Sequence, residues 1–290
     1  MTAFDQLGTE ARDTAGADLD LRSTRELVGL MNAEDAAVPA AVGAASGQIA
    51  TLIDAIAGRL GAGGRLVYAG AGTSGRLAAL DAAECGPTFS ADGVVLAVAA
   101  EEEADEDDAS AGAAAIGAVG VSSGDAVVGI SASGRSPYVR GALEAARAAG
   151  ALTGCVVCVH GSELAAVAQH EVAVPVGAEV LAGSTRLKAG TAQKLVLNMI
   201  STISMIRLGR TYGNLMVGLD AANEKLQARA RSIVAQATGA ANGEVEHALE
   251  AAGGDARVAI VSLLTGLDAA AARARLDEAG GVVRRALEQS

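Results

Sequence analysis

The chain has 290 residues, 51% of them hydrophobic but only 2% aromatic, with 37 glycines and no tryptophan. Its core is therefore built from alanine, valine, leucine and isoleucine, and disorder is excluded for most of its length. A net charge of −12 and a pI near 4.7 exclude a nucleic-acid backbone as partner, because that affinity comes from clustered lysine and arginine.

Cys85, Cys155 and Cys158 are too few for a disulfide framework and fit a reducing, cytoplasmic setting. Asp5, Glu10 and Asp13 occupy the start with no basic flank beside an apolar run, so no signal peptide is expected. The charge-free stretch from Ala36 to Ile53 is broken by Pro39, Gly43, Ser46 and Gly47, and no membrane partner is expected.

Ser23-Thr24-Arg25-Glu26 matches a capping box and predicts a helix start. A second helix is expected from about Val38 to Leu60, ending in Gly61-Ala62-Gly63-Gly64. From Arg65 the period shortens, and strands are expected at 65–69, 94–99, 126–131, 154–159 and 172–176. Helical segments fall between them at 76–84, 110–119, 139–149 and 164–169. This alternation predicts βαβ units around a buried parallel sheet with helices on both faces, an α/β class. Lys188 to Leu208 reads as a long helix. Beyond Asp220, helices are expected near 221–238, 244–252, 255–264 and 268–287, separated by glycines. The organisation expected is N-terminal tail and helices at 1–50, a ligand-binding domain at 51–222, and a small helical C-terminal domain at 223–290.

Gly70-Ala71-Gly72-Thr73-Ser74-Gly75 follows a strand and opens a helix, where amides and the helix dipole receive anions. Taken alone it also matches the weak dinucleotide pattern. Two more hydroxyl-rich loops, Ser131-Ala132-Ser133-Gly134-Arg135-Ser136 and Gly183-Ser184-Thr185-Arg186-Leu187-Lys188, shift the balance to a phosphomonoester, whose terminal oxygens suit several converging hydroxyls and amides. Plain turns are the bland alternative. Glu84, beside Gly86-Pro87, reads alone as an exposed helix end. Glu101 to Asp108 holds seven acids in eight positions and reads alone as a solvated loop. Cys155 and Cys158, three apart on a strand, face oppositely, and His160, His170 and His247 are scattered, so neither set predicts redox work or a metal.

Gly70 to Leu77, Asp81-Ala82-Ala83-Glu84-Cys85, Gly129 to Tyr138, Gly183 to Lys194, Leu197 to Thr202 and Gly213-Asn214-Leu215-Met216-Val217 together resemble the N-acetylmuramic acid 6-phosphate etherase family, a branch of the sugar isomerase (SIS) fold. Thr9-Glu10 and Asp18-Leu19-Asp20 are similar to the family's opening. The resemblance implies an SIS-type parallel-sheet sandwich, a small-molecule sugar-phosphate substrate, a homodimer, and neither metal nor organic cofactor. It implies release of D-lactate from N-acetylmuramic acid 6-phosphate to leave N-acetylglucosamine 6-phosphate, a step in recycling cell-wall amino sugars. Its first catalytic glutamate falls on Glu84 and its second on Glu106, with Glu103 a rival because the segment from Ala99 to Asp105 is shorter than the family's and lacks a Gly-Gly turn. Gly86 stands where a second proline is usual and Ser136 where threonine is usual.

The chemistry is coherent from first principles. In the open-chain sugar the C2 proton is acidic beside the C1 aldehyde, and the C3 ether oxygen is β to that carbonyl. Glu106 removes the C2 proton while Glu84 protonates the departing lactate oxygen and then assists water addition at C3, or the two roles are exchanged. The phosphate is assigned to Ser131, Ser133, Ser184 and Thr185, and Thr73 and Ser74 of the first glycine loop are further substrate-binding residues. Arg135 and Lys188 either offset its charge or pair with acids of the fold. An amino-sugar-phosphate aldose–ketose isomerase and a non-catalytic sugar-phosphate sensor are the alternatives, separated from the etherase by lactate release.

Overall fold

The computed structural model describes residues 18–100, 103–218 and 224–288, without the side chains of Glu103, Ala104 and Lys225. Thr9-Glu10 and the start of the helix expected from Ala221 lie outside the described residues. The chain forms two compact units interleaved in sequence: 1–83 with 94–201, and 84–93 with 202–290.

In the first unit, α1 (Thr24–Asp35) begins at the expected capping box, Ser23 accepting from the Glu26 amide while the Glu26 carboxylate accepts from the Ser23 amide. The single helix expected over 38–60 is two, α2 (Val38–Ala44) and α3 (Ser46–Gly61). Ala45 leaves helical geometry amid Gly43, Ser46 and Gly47, a weak run for helix propagation, and the segment Thr24–Ala44 meets Ser46–Gly61 there at a 59° bend. Among the described residues no single helix is long and apolar enough to cross a membrane.

The sheet follows: β1 (Leu66–Gly70), α4 (Gly72–Phe89), β2 (Val95–Ala99), α5 (Ala109–Val119), β3 (Ala126–Ser131), α6 (Pro137–Ala148), β4 (Leu152–Val157), α7 (Glu163–Val167), β5 (His170–Ala173) and α8 (Lys188–Arg207). All five strands are parallel, in the order β2-β1-β3-β4-β5. β4 begins two residues earlier than expected because Leu152 pairs with Ala126 at the first position of β3. β5 begins at His170, since an edge strand tolerates polar His170 and Glu171.

Alternating residues of β1 separate the two faces. Val67 and Ala69 join Ile116 of α5 and Val139 and Leu143 of α6, while Tyr68 turns the other way and donates its hydroxyl to Asp81 on α4 at 3.1 Å. Helices thus cover both faces of the sheet. Cys155 sits in the first of these clusters and Cys158 beside the Ala189 carbonyl of α8. Burial pushes each thiol up to about 12, which keeps them protonated and unreactive.

Asp125, at the entry to β3, is 2% exposed and accepts from the Arg65 guanidinium at 2.9 Å and from the Arg65 and Ser122 amides, each at 2.8 Å. The Arg65 contact, with these amides, holds its carboxyl down to about 2 against an ordinary 3.8. A depressed carboxyl contributes stability above its unfolded value and loses it as pH falls through its folded value, so the wild type should lose about 2 kcal/mol between about pH 4 and 2. Urea midpoints of wild type and Asp125→Asn across that window check this. The variant, weaker at pH 5, should show a visibly smaller acid dependence.

In the second unit, α9 (Glu224–Thr238), α10 (Asn242–Ala251), α11 (Ala256–Thr265), α12 (Ala269–Glu278) and α13 (Val283–Glu288) pack around Val234, Val245, Val258, Ile260, Leu276 and Val283. The helix expected over 268–287 divides at Gly280-Gly281, both at positive φ. This unit also contains 84–93, the last part of α4 and the turn after it.

Candidate active site

The strand order places β2 on one side of β1 and β3 on the other, so the connections leave the carboxyl ends of β1 and β3 in opposite directions and open a crevice there. A cavity of about 420 Å³ occupies it, within the first unit. Thr73 and Ser74 reach it from the start of α4, Ser131, Ser133 and Arg135 from the loop after β3, Thr185 from the loop before α8, and Glu106 from the acidic segment after β2.

Local geometry explains each placement. A Cβ on Gly70 would lie 2.8 Å from the Gly75 nitrogen, and one on Gly75 would lie 2.9 Å from both the Gly70 carbonyl and the Ala99 Cβ. Only glycine at both positions lets the α4 amides turn this tightly over the end of β1. The acidic run folds from Glu103 to Asp107 as a short 3₁₀ turn, and Asp108 caps α5 by accepting from the Ser110 amide at 2.7 Å. This turn hangs the Glu106 carboxylate above the glycine loop: Oε2 lies 3.9 Å from where a Cβ on Gly72 would be. Ser136 caps α6 and donates to the Glu106 carbonyl at 3.4 Å, tying that turn to the β3 loop. The Ser131 oxygen accepts from the Gly134 amide at 3.1 Å, which leaves the hydroxyl proton available to a ligand. The Thr73 methyl lies 3.6 Å from where a Cβ on Gly190 would be, so the start of α8 closes on the glycine loop.

Seven of the residues expected from sequence therefore meet in one cavity: Thr73, Ser74, Glu106, Ser131, Ser133, Arg135 and Thr185. Asp107 and Ser136 also line it. Arg135 is the single basic side chain among the described lining residues. Ser184 is not in the lining. Lys188, 6% exposed, has its ammonium against Glu34 while its own amide and that of Ala189 donate to Glu179 at 2.9 Å. Of its two expected uses, the structure gives it the pairing with an acid of the fold. The side chain of Glu103 lies outside the described residues, although its backbone opens the 3₁₀ turn.

Glu84 is exposed on α4 within the second unit, and it does not end the helix as expected. The helix runs on through Gly86-Pro87 to Phe89 even though proline supplies no amide for a bond one turn back, and Ser90 closes the last turn by donating to the Gly86 carbonyl at 2.9 Å. A Cβ on Gly86 would lie 2.2 Å from an Asp92 carboxylate oxygen, so a larger residue there would displace that exposed side chain.

Asp81, one turn before Glu84, is 3% exposed and accepts from Tyr68 at 3.1 Å and Ser201 at 3.3 Å, with the Lys194 ammonium 3.6 Å away. Burial pushes its carboxyl up, opposed by Ser201, Tyr68 and Lys194. These bonds and that between Ser74 and Gln193 fasten α4 to α8. Gln193 and Asp81 lie in motifs legible in the sequence, yet neither residue type nor spacing marks them as partners.

A larger hollow of about 750 Å³ lies within the second unit, where Arg231 and Arg257 face Glu246, Glu250 and Asp255. It lacks the convergent hydroxyl loops a phosphomonoester needs. Among the described residues no group of three or more His, Cys, Asp or Glu side chains is placed to hold a metal ion.

Residues 48–147 match the family described as the glucokinase regulatory protein N-terminal SIS domain. The N-acetylmuramic acid 6-phosphate etherase of Streptomyces avermitilis is 53% identical over 98% of this chain and 94% of its own. That of Rubrobacter xylanophilus is 54% identical over 97% and 96%. Among solved structures, a phosphoheptose isomerase from Francisella tularensis matches with a TM-score of 0.52 at 17% identity, covering 64% of this chain and all of its own, a likeness of fold. On the full-length identity to these relatives, the chain belongs to the N-acetylmuramic acid 6-phosphate etherase family.

Proposed function

We propose that this protein cleaves the D-lactyl ether of N-acetylmuramic acid 6-phosphate, releasing D-lactate and leaving N-acetylglucosamine 6-phosphate. The observation that carries the reading is the meeting of an acid–base carboxylate, Glu106, with Ser131, Ser133 and Arg135 in one crevice. The likeness to relatives named for this activity supports it.

The phosphate lies against the hydroxyls and Arg135, far enough from C3 to supply orientation without entering the chemistry. Glu106 takes the C2 proton, the electron pair moves into the C2–C3 bond, and the C3–O bond breaks as Glu84 protonates the lactate oxygen. Water then adds at C3, Glu84 taking its proton, and Glu106 returns the proton to C2. Each residue ends as it began. The chain works as a homodimer in the cytoplasm in this reading, with sugar-phosphate binding in the first unit.

D-lactate released by the wild type from the phosphorylated sugar, with none from the unphosphorylated one, is the expected result. Aldose–ketose interconversion without lactate would make it an isomerase, and binding without turnover would make it a sensor; either overturns the proposal.

A further inference from the structure

We infer that Gln193 is a positioning residue for the phosphate, acting by setting which way the Ser74 hydroxyl proton points; this rests on the phosphate reading of the cavity given above. Ser74 lines the crevice and is 8% exposed, and behind it on α8 lies Gln193, 1% exposed. The Ser74 hydroxyl donates to Gln193 Oε1 at 3.0 Å, and Gln193 Nε2 is buried with no hydrogen-bond partner among the described residues.

A serine hydroxyl has one proton and two lone pairs. Donated to Gln193, that proton is spent, and Ser74 shows the cavity only lone pairs. A phosphate dianion is an acceptor throughout, so this arrangement repels it. Half a turn of the carboxamide exchanges oxygen and nitrogen with almost no other movement. Nε2 then donates to the Ser74 oxygen, and the hydroxyl proton is released to a phosphate oxygen, each donor polarising the next. Either orientation leaves one amide atom buried without a partner, so the two are close in energy and the ligand decides between them. A phosphate selects the donating state. The sugar hydroxyl that replaces it in an unphosphorylated analogue, being donor and acceptor, selects neither. Ser131 differs because its proton is already free.

The test is calorimetric binding of N-acetylglucosamine 6-phosphate to wild type, Gln193→Met, Gln193→Glu, Ser74→Ala and Ser74→Ala/Gln193→Met, beside thermal melting and the wild-type lactate assay. The near-isosteric Met variant should bind about threefold to tenfold more weakly, and the Glu variant, an acceptor that pins the serine proton, more weakly still. In the Ser74→Ala background the Met substitution should change affinity by less than about twofold, because its effect runs through the hydroxyl. In turnover the Met variant should raise KM and leave kcat within about twofold. Gln193→Met binding like wild type, or a loss that persists undiminished without the serine hydroxyl, overturns the inference. Should Gln193→Glu fail to fold, the Met cycle alone decides. The expected pattern without lactate release by the wild type sinks the etherase reading and leaves this inference standing; lactate release with an unaffected Met variant does the reverse; no binding by the wild type sinks both.

Discussion

Glu84→Gln should lower D-lactate release by about 10²–10⁴-fold, the usual worth of one positioned proton transfer, while binding of the sugar phosphate stays within a few-fold of wild type. The amide has the shape of the acid but cannot give its proton to the departing lactate oxygen. Glu84 is exposed on α4, and melting curves of wild type and variant separate a loss of chemistry from a loss of fold. Solvent deuterium at C2 separates the steps. If Glu84 is the acid, proton abstraction at C2 survives in the variant and exchange continues without elimination; a variant that also loses exchange would make Glu84 the base. Unchanged lactate release removes Glu84 from the mechanism.

Glu106→Gln and Glu103→Gln, compared side by side, should differ just as widely. The Glu106 carboxylate lines the cavity and hangs over Gly72, so its loss should cut C2 exchange and lactate release together by about 10²–10⁴-fold. Glu103 opens the same 3₁₀ turn at the other end and should retain activity within a few-fold. The reverse result would hand the second role to Glu103. Both variants keep the Ser136 hydrogen bond to the Glu106 carbonyl, because it uses backbone, so the turn itself is preserved in the comparison.

Local pattern carried much of this structure. The Ser23 box, the five strand runs and the glycine ends of the C-terminal helices are short-range signals, and each has a counterpart in the fold. The three hydroxyl loops were recognisable because an anion site needs glycine and hydroxyl residues in consecutive positions. What was not legible depends on residues distant in sequence. The strand order, which creates the crevice, is decided by which apolar runs find one another. Lys188 reads either as a phosphate cation or as the partner of an acid of the fold, and which acid stays hidden until Glu34, 154 positions earlier, is found beside it. Gln193 reads as one more polar residue on a helix until the chain brings it behind Ser74, 119 positions away. The passage of α4 through Pro87 depends on a turn closed by Ser90, which no helix-stop rule anticipates.

The strand pairing has a kinetic consequence. Leu66 of β1 pairs with Val95 on one side and Ala126 on the other, and even the nearest pair in sequence, Gly154 with His170, is separated by a whole helix. No part of the sheet forms as a hairpin, so every ladder must await closure of a long loop before its hydrogen bonds repay the lost chain entropy. β1, between two partners that both follow it in the chain, waits longest with its apolar edges bare. A nascent chain of this protein is thus most open to misassociation while β3 is still being synthesised, and its refolding from denaturant should be slower and more sensitive to protein concentration than that of a helical protein of equal length.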